Sequence, residues 1–480
     1  MRRFLPSIFA FLVLSNTLSA QNLWSLARCI EHAQEHNLDL QRAEQNIALA
    51  ELSELQSQLA FLPSVNATGG YYWNFGLTID PITNTRQPGT RNTFSSTLQG
   101  NWSLFNGGRN VLQLQRSRMD KVAALYGSEE MRNNVMLNIT SAFLQVMVNK
   151  QLLEVAEGQL KVSEGNANRA KTLLDNGVIS RGDYLQNVSQ MKADESNLVS
   201  AENAVVLSRL QLFQLLQLES EFEAFDIEVP SVELQATQGV QAYNRPELIE
   251  ASIEKQPAVK RAESAAESAE VGIKLAQSAR LPSVNMMAQL NSNFVAGLPY
   301  FTEFTKLTTY TVVQDPDDPN NLLFFPNEMN VPVPESQETY TFRNQMLDNR
   351  NQFFGFGISV PLFSQGQISA GVQQAKIQES LAQLDLQQAI NQQRQTIERA
   401  YLDANNSYAA YQAARVSAES AKEALDYAQV NFEEGVISGF DMAQSNNAYL
   451  AAKSREIQAK FDYLFKTKVL EFYLFGQLNL

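Results

Sequence analysis

The chain has 480 residues and a formal net charge of −14, with 18% charged and 44% hydrophobic residues. The acidic balance argues against nucleic acid as a partner, and the single cysteine, Cys29, excludes an internal disulfide. After residue 20 no run of 18 apolar residues occurs, so the sequence predicts no transmembrane helix.

The first 20 residues have the pattern of a secretory signal peptide. Arg2 and Arg3 precede an apolar run over 4–14, and Leu18-Ser19-Ala20 is a suitable cleavage site. Removing the two positive charges leaves the mature chain at −16, from −14 minus 2. No apolar run directly precedes Cys29, so we predict no lipid anchor. The sequence therefore predicts an exported protein that either stays soluble or enters a membrane as β-strands.

The first mature segment predicts one continuous helix over Trp24–Phe61, because neither Gly nor Pro interrupts it. Leu62-Pro63 ends it, since the residue before proline is disfavoured in a helix. After this point apolar and polar residues alternate with a period of two residues. This pattern predicts strands at about 63–76 and 93–105. Equivalent strands are predicted at about 283–294 and 351–363. Strands of about 11 residues are long enough to cross a bilayer when tilted.

Three aromatic residues on the first two strands, Tyr71, Trp73 and Trp102, match the girdle that membrane strands place at the lipid interface. The alternative is a soluble antiparallel sheet with one buried face, which produces the same alternation of apolar and polar residues. The strand pattern alone leaves both interpretations open.

Two proline-free stretches, 107–173 and 365–432, predict helices of about 67 residues, each about 100 Å long. Shorter helices of about 55 Å are predicted at 181–218, 247–281 and 439–472, in addition to Trp24–Phe61. Gln, Asn and Ser cover much of the long helices. Helices that are polar on two sides suit the wall of a hollow tube, whereas the alternative is a solvated coiled coil.

The chain repeats itself once. Gly177-Val178-Ile179-Ser180 recurs 258 residues later as Gly435-Val436-Ile437-Ser438, and Leu62-Pro63-Ser64-Val65 recurs 219 residues later as Leu281-Pro282-Ser283-Val284. An internal repeat of this kind fixes the architecture before any local pattern does. We therefore predict two copies of one unit, at 21–218 and 246–480, joined by a linker at 219–245.

The second copy carries 39 additional residues, the difference between 258 and 219, and they fall within 298–350. This proline-rich stretch joins the third and fourth strands, so we predict a long loop outside the membrane. Its acidic residues are oxygen ligands of the kind that Ca²⁺ prefers, but their spacing differs from that of an EF-hand loop.

No phosphate-binding glycine loop and no glycine-elbow serine is present, so the sequence predicts neither an enzyme nor a cofactor. The only two histidines, His32 and His36, match the H-x-x-E-H pattern of zinc proteases. The alternative places them beside the buried stripe of the first helix, without a metal. The pattern alone offers no third ligand close in sequence, and the second interpretation is the simpler one.

The order helix–strand–strand–helix, repeated once, resembles the TolC-like outer-membrane efflux channel family over the whole mature chain. The Gly-Val-Ile-Ser turns, the Leu-Pro-Ser-Val strand starts and the Leu-Phe-x-x-Gly strand ends carry the resemblance. It implies a mostly α fold with a membrane β-barrel, made by a homotrimer with four strands per chain, 12 in all, and a periplasmic α-helical tunnel. It also implies the outer membrane of a Gram-negative bacterium, a periplasmic adaptor, an inner-membrane pump and outer-membrane lipid as partners.

The resemblance assigns roles to the two repeated turns, at 176–183 and 434–441. The tips that dock the adaptor correspond to Gly177, Val178, Ile179, Ser180, Gly435, Val436, Ile437 and Ser438. Asp183, Asp441 and Gln444 correspond to the entrance of the pore, where a ring of acids favours cations. Gln444 stands where the family has a second acid, and Ile437 where it sometimes has a basic residue. The alternative role of each Asp is the N-cap of the following helix.

The sequence leaves two functions open. The resemblance implies the passive exit duct of a tripartite efflux or type I secretion system, gated at the periplasmic tips. The alternative is an exported coiled-coil scaffold or surface-attachment protein without channel activity. Nothing in the sequence selects an exported substrate.

Overall fold

The computed structural model describes residues 23–79, 86–219, 222–229, 250–317, 321–333 and 337–476. The predicted signal peptide and most of the predicted linker lie outside these ranges. The chain divides into two compact units, each described below. One is formed by Met1–Ser53, Ser117–Glu270 and Ile377–Leu480, and the other by Glu54–Arg116 and Val271–Lys376.

The described helices are mostly long. They are α1 (Leu26–His36), α2 (Leu38–Leu59), α3 (Arg109–Asp175), α4 (Arg181–Leu215), α5 (Pro257–Ser278), α6 (Phe342–Asp348), α7 (Gln367–Glu433) and α8 (Gly439–Phe475). Both α3 and α7 have 67 residues, which confirms the two predicted long helices. None of the described helices combines the length and the apolar character that crossing a membrane requires.

Two of the predicted shorter helices are interrupted, contrary to our expectation. Trp24 belongs to a short strand, and α1 ends at His36. The next residue, Asn37, caps the start of α2, because its side-chain Oδ1 accepts hydrogen bonds from the amides of Asp39 (2.9 Å) and Leu40 (3.3 Å). Asparagine favours such local bonds over the helix interior. The predicted helix over 247–281 restarts at Pro257, which is tolerated at the first position of a helix.

The core of the helical unit lies where α1 packs against α3, α4 and α8. Cys29 and Phe143 are almost fully buried there with Leu212 and Phe461. Burial raises the pKa of the Cys29 thiol to about 12, so this group stays protonated at neutral pH. Within the predicted linker, Asp226–Ile227 form a short strand, and Phe225 and Ile227 are buried in this core.

The described strands are β1 (Leu23–Trp24), β2 (Ser64–Ile79), β3 (Arg86–Asn106), β4 (Asp226–Ile227), β5 (Ser283–Val295), β6 (Pro299–Phe301), β7 (Phe304–Gln314), β8 (Leu322–Pro332), β9 (Gln337–Thr339) and β10 (Asn351–Ser359). In the helical unit, β4 pairs in parallel with β1. Lys150 Nζ holds this pair by contacting Asp226 Oδ1 at 2.6 Å.

The second unit is built on a four-stranded antiparallel sheet in the order β10-β5-β3-β2. These are the four predicted strands, but their ends differ from the prediction. β2 and β3 are longer because the turn-rich stretch between them continues as a paired ribbon, with Pro88 on an open edge. β10 stops at Ser359, two residues before Pro361, which lacks the amide that a strand needs.

The additional residues of the second copy, which we predicted as a long loop, contain regular secondary structure. β7 and β8 pair over 11 residues as a hairpin, β6 pairs with β9, and α6 follows. The prolines suggested a loop, but Thr, Val, Tyr and Phe over 304–314 have the β-branched and aromatic character of a strand. Pro326 lies in the two-stranded hairpin, where an edge position tolerates it.

Candidate functional site

The two repeated turns have the same backbone geometry. After α3, Gly177 has a φ of +71°, and the amides of Gly177 and Val178 donate to the carbonyls of Leu174 (2.9 Å) and Leu173 (2.8 Å). After α7, Gly435 has a φ of +74°, and the amides of Gly435 and Val436 make the equivalent bonds at 3.1 Å and 2.8 Å. This Schellman arrangement needs a left-handed residue, which explains the glycine.

Each turn continues into a capping box. Ser180 Oγ accepts the amide of Asp183 at 3.2 Å, while Asp183 Oδ2 accepts the amide of Ser180 at 3.2 Å. Ser438 and Asp441 repeat these bonds at 3.3 Å and 3.2 Å. The serines are therefore the N-caps of α4 and α8, and each aspartate lies three residues later. The expectation that an aspartate is itself the N-cap is wrong, because each aspartate is the third residue of its helix and its carboxylate accepts the amide of the cap.

The structure leaves the predicted tip and entrance residues accessible to partners. Val178 and Val436 are about two-thirds exposed, at 67% and 69%, while Ile179 and Ile437 are half-buried. Asp183, Asp441 and Gln444 are exposed. An exposed carboxylate that completes a capping box still carries its charge toward solvent. The cap and a role at an entrance are therefore compatible.

A polar seam connects the two helical hairpins near these turns, and sequence reasoning missed it. Asp194 on α4 is only 2% exposed, and its two carboxylate oxygens accept the side-chain amides of Gln159 (2.9 Å) and Gln190 (3.0 Å). Gln190 also donates to Asn447 Oδ1 on α8 at 3.3 Å. On the neighbouring helices, Arg169 of α3 lies 3.8 Å from Glu433 of α7.

A small cavity of about 30 Å³ adjoins this seam, lined by polar residues such as Asn166 and Asn446 and by apolar residues such as Phe432 and Met442. A cavity of that size is large enough for about one water molecule. The only sequence signal for the seam is an aspartate in a helix interior with a glutamine four residues before it.

The four-stranded sheet exposes one apolar face and one polar face. On the apolar face, Val65, Tyr71, Trp73, Leu98, Trp102, Phe354, Phe356 and Ile358 are exposed. The other face carries mainly Asn, Thr, Ser and Gln of β2, β3 and β5. An exposed apolar face of this extent marks a surface that contacts lipid or protein.

The predicted girdle residues stand at both ends of this apolar face. Tyr71 and Trp73 form an edge-to-face pair at 4.9 Å, and Tyr71 lies opposite Phe94 of β3. Trp102, eight residues further along β3, donates its indole N–H to the carbonyl of Phe61 at 2.8 Å. Eight residues span about 26 Å along the strand, or about 20 Å along the membrane normal when a strand is tilted by about 40°.

The histidine pattern does not form a metal centre. The rings of His32 and His36 stack at 4.2 Å, and within the described ranges no group of three or more His, Cys, Asp and Glu side chains is close enough to hold a metal. Burial, followed by the nearby His36, lowers the pKa of His32 below its ordinary value of 6.5. The pair belongs to the packing of α1.

The sheet combines an exposed apolar face with a polar face, which is the pattern of strands in membrane β-barrels. Comparison with known proteins agrees. The family described as "Outer membrane efflux protein" matches residues 29–217 and 337–473. The chain therefore belongs to the outer membrane efflux protein family, as its sequence predicted, and its location is the outer membrane.

Relatives with solved structures share this fold along nearly the whole chain. The outer membrane protein VceC of Vibrio cholerae is 15% identical, with a TM-score of 0.72 over 95% of this chain and 97% of that one. The CmeC outer membrane channel of Campylobacter jejuni is 14% identical, with a TM-score of 0.73 over 94% of this chain and 85% of that one.

One similar protein is the alkaline protease secretion protein AprF of Pseudomonas aeruginosa. It is 27% identical over 138 residues, which are 29% of this chain and 28% of AprF. The matched region is thus less than a third of either protein.

Proposed function

We propose that three copies of this chain form a passive exit duct. Their sheets join into a 12-stranded barrel in the outer membrane, and their helices continue as a periplasmic tunnel. The duct serves a tripartite efflux or type I secretion system, in which an inner-membrane pump and a periplasmic adaptor load it. The chain itself is not an enzyme and needs no cofactor.

The observation that carries this proposal is the sheet. Its outermost strands, β10 and β2, have no strand on their outer side among the described residues. Unpaired edges are costly in lipid, so the sheet must close. Because neighbouring strands alternate in direction, β10 of one copy and β2 of the next would pair antiparallel, which continues the pattern around a ring.

The two faces of the sheet support a membrane barrel with a polar interior. The exposed apolar face suits lipid, and the Asn, Thr, Ser and Gln face suits a water-filled lumen. Four strands are too few to close a barrel, and eight is the smallest usual number. The sheet thus requires at least two copies, and the family resemblance selects three.

The turns at Gly177–Ser180 and Gly435–Ser438 are the proposed docking tips for the adaptor. Their exposed valines offer apolar contacts on rigid, capped helix ends. Asp183, Asp441 and Gln444 are proposed to line the entrance. An adaptor that binds the open arrangement more tightly than the closed one shifts the population toward the open state.

Planar-bilayer conductance tests the duct and its entrance together. We expect single-channel conductance from the detergent-extracted protein, with a preference for cations. Replacing both acids (Asp183→Asn with Asp441→Asn) should reduce that preference. The matched control, Ser180→Ala with Ser438→Ala, breaks the same capping boxes but retains both charges.

The control separates the two roles of the aspartates. Loss of selectivity in the Asn pair and its retention in the Ala pair supports the entrance. Equal effects in both pairs would leave the aspartates as members of the capping boxes only. A purified protein that forms no pores in the bilayer would contradict the duct itself.

A further inference from the structure

Two hairpins continue beyond the end of the four-stranded sheet that lies away from the helices. The last pair between β3 and β5 joins Thr93 and Val295, so residues 73–79 of β2 and 86–92 of β3 continue as a two-stranded ribbon, here called the β2–β3 extension. The chain leaves β5 at the same level and enters β7 and β8, here called the β7–β8 ribbon.

Both hairpins expose apolar side chains within a single chain. On the β2–β3 extension these are Phe75, Leu77 and Ile79, which are 79%, 74% and 55% exposed. On the β7–β8 ribbon they are Phe304, Leu307, Tyr310, Val312, Val313, Leu322, Phe324, Phe325 and Met329. A lone two-stranded hairpin is only marginally stable in water, and a patch of this kind marks an interaction surface.

The two hairpins carry opposite charge. Over 73–92 the sequence has Arg86 and Arg91 against one acid, a net charge of +1. Over 303–332 it has five acids against one lysine, a net charge of −4. That lysine, Lys306, is already paired with Glu328 at 2.8 Å. Surfaces of opposite sign with apolar centres are complementary as partners.

The base of the β7–β8 ribbon is fixed to the sheet by α6. Gln345 is fully buried, and its side chain accepts the amide of Val295 at 2.9 Å and donates to the Val295 carbonyl at 3.0 Å. Phe342 packs against Phe94 and Phe294 at 5.6 Å and 5.1 Å. The contacts of α6 therefore fix the point at which the chain leaves the sheet and enters the ribbon.

Strand order places the two hairpins at a junction between copies. The β7–β8 ribbon is inserted before β10, the strand at one edge, and the β2–β3 extension continues β2, the strand at the other edge. In the ring proposed above, β10 of one copy meets β2 of the next. The acidic ribbon of one copy then lies beside the basic extension of its neighbour, at the same end of the sheet.

We propose that the β7–β8 ribbon of each copy packs against the β2–β3 extension of the next copy and forms a clasp between subunits outside the membrane. A second copy of this chain is thus the partner of both surfaces. The proposal rests on the proposed function, because it requires the ring. It adds that the additional residues of the second repeat stabilise the assembly, separately from the barrel strands.

Thiol cross-linking tests the clasp directly. Cys29, the single native cysteine, is fully buried and its pKa is raised to about 12, so it stays unreactive. In a variant with Leu77→Cys and Phe325→Cys, we expect a short bis-maleimide to produce covalent dimers and trimers on denaturing gels. The matched control moves the first cysteine to exposed Leu62, before the other end of β2, and should remain monomeric.

A second measurement tests how strongly the clasp stabilises the trimer. Replacing 304–332 with a short Gly-Ser turn should lower the temperature at which the extracted trimer dissociates, while single-channel conductance persists. Arg86→Glu with Arg91→Glu should reduce cross-linking at low salt, where the opposite charges attract most strongly.

The outcomes separate this inference from the proposed function. A conducting trimer without cross-links between chains overturns the clasp alone, as does cross-linking only within a chain. If added lipopolysaccharide protects both introduced cysteines from the maleimide and no adduct forms between chains, the ribbons bind lipid. That outcome would also overturn the clasp. Absence of any trimer would overturn the ring and the clasp together.

Discussion

At the scale of single residues, the repeated turn shows what a short motif can predict. Glycine followed by Val-Ile-Ser and an aspartate predicted a turn between two helices, and both copies have nearly the same hydrogen bonds. The role of each residue within the turn was less predictable. Serine and aspartate both favour helix N-termini, and only the geometry shows that Ser180 and Ser438 are the caps.

Removing an N-cap serine should destabilise the first turn of the helix that it caps. In Ser438→Ala, the amide of Asp441 loses its acceptor, so opening of the first turn of α8 should become easier by about 1 kcal/mol. Hydrogen exchange of the amides at 441–443 should then accelerate about fivefold. Ser445→Ala, inside the same helix, is the control and should change little. Equal exchange rates in both variants would contradict the role of Ser438.

His32 should make the helical unit sensitive to acid. Its pKa lies below the ordinary value of 6.5 because of burial and then the nearby His36. The unfolded chain therefore binds the proton more readily, so stability from neutral His32 is present above pH 6.5 and is lost as pH falls toward the folded pKa.

Thermal unfolding at pH 7.5 and at pH 5 measures this effect. His32→Gln should show a smaller drop in Tm on acidification than the unaltered protein. His36→Gln keeps the buried imidazole of His32 and should retain most of the drop. An unchanged drop in His32→Gln would assign the acid sensitivity to other groups.

At the scale of elements, the absence of proline predicted the long helices well, because neither 67-residue stretch contains a residue that lacks the backbone amide. The failures lie where a side chain competes with the backbone. Asn37 divides the first helix by capping the next one, and a general propensity scale assigns only a small penalty to asparagine. The β7–β8 ribbon was missed because prolines around it dominate the local signal.

The buried acid of the polar seam gives a test that uses the internal repeat. Asp194→Ala should weaken the first hairpin by about 1–3 kcal/mol, because the buried side-chain amide of Gln159 loses its acceptor, whereas half-buried Gln190 keeps its bond to Asn447. The second copy has Ser417, Ala448 and Ala452 at the positions 258 residues later.

Copying the second repeat should therefore rescue the defect. The triple variant Gln159→Ser, Gln190→Ala and Asp194→Ala removes both side-chain amides together with their acceptor, and should be more stable than Asp194→Ala alone. Hydrogen exchange along α4 and thermal unfolding measure both variants. If the triple variant is as unstable as Asp194→Ala, the rescue fails. The network would then stabilise the hairpin by more than the hydrogen bonds that its polar side chains supply to one another.

At the scale of the whole molecule, the repeat and its motifs predicted the family, which the comparisons confirm. The ends of strands and the seam between hairpins could not be predicted, because both depend on contacts between residues far apart in sequence. The pairing of Asn106 with Ser283 and the bond between Gln190 and Asn447 are of this kind. The assembly of several copies is argued from the open edges of the sheet and from the family resemblance.

The most direct test of the account is the native mass of the protein extracted from outer membranes in detergent. We expect three copies of the mature chain in one particle, and pores when that particle is reconstituted in a bilayer. A particle of one chain, or a chain that is released from membranes without detergent, would contradict the duct and leave the exposed apolar face of the sheet without its proposed environment.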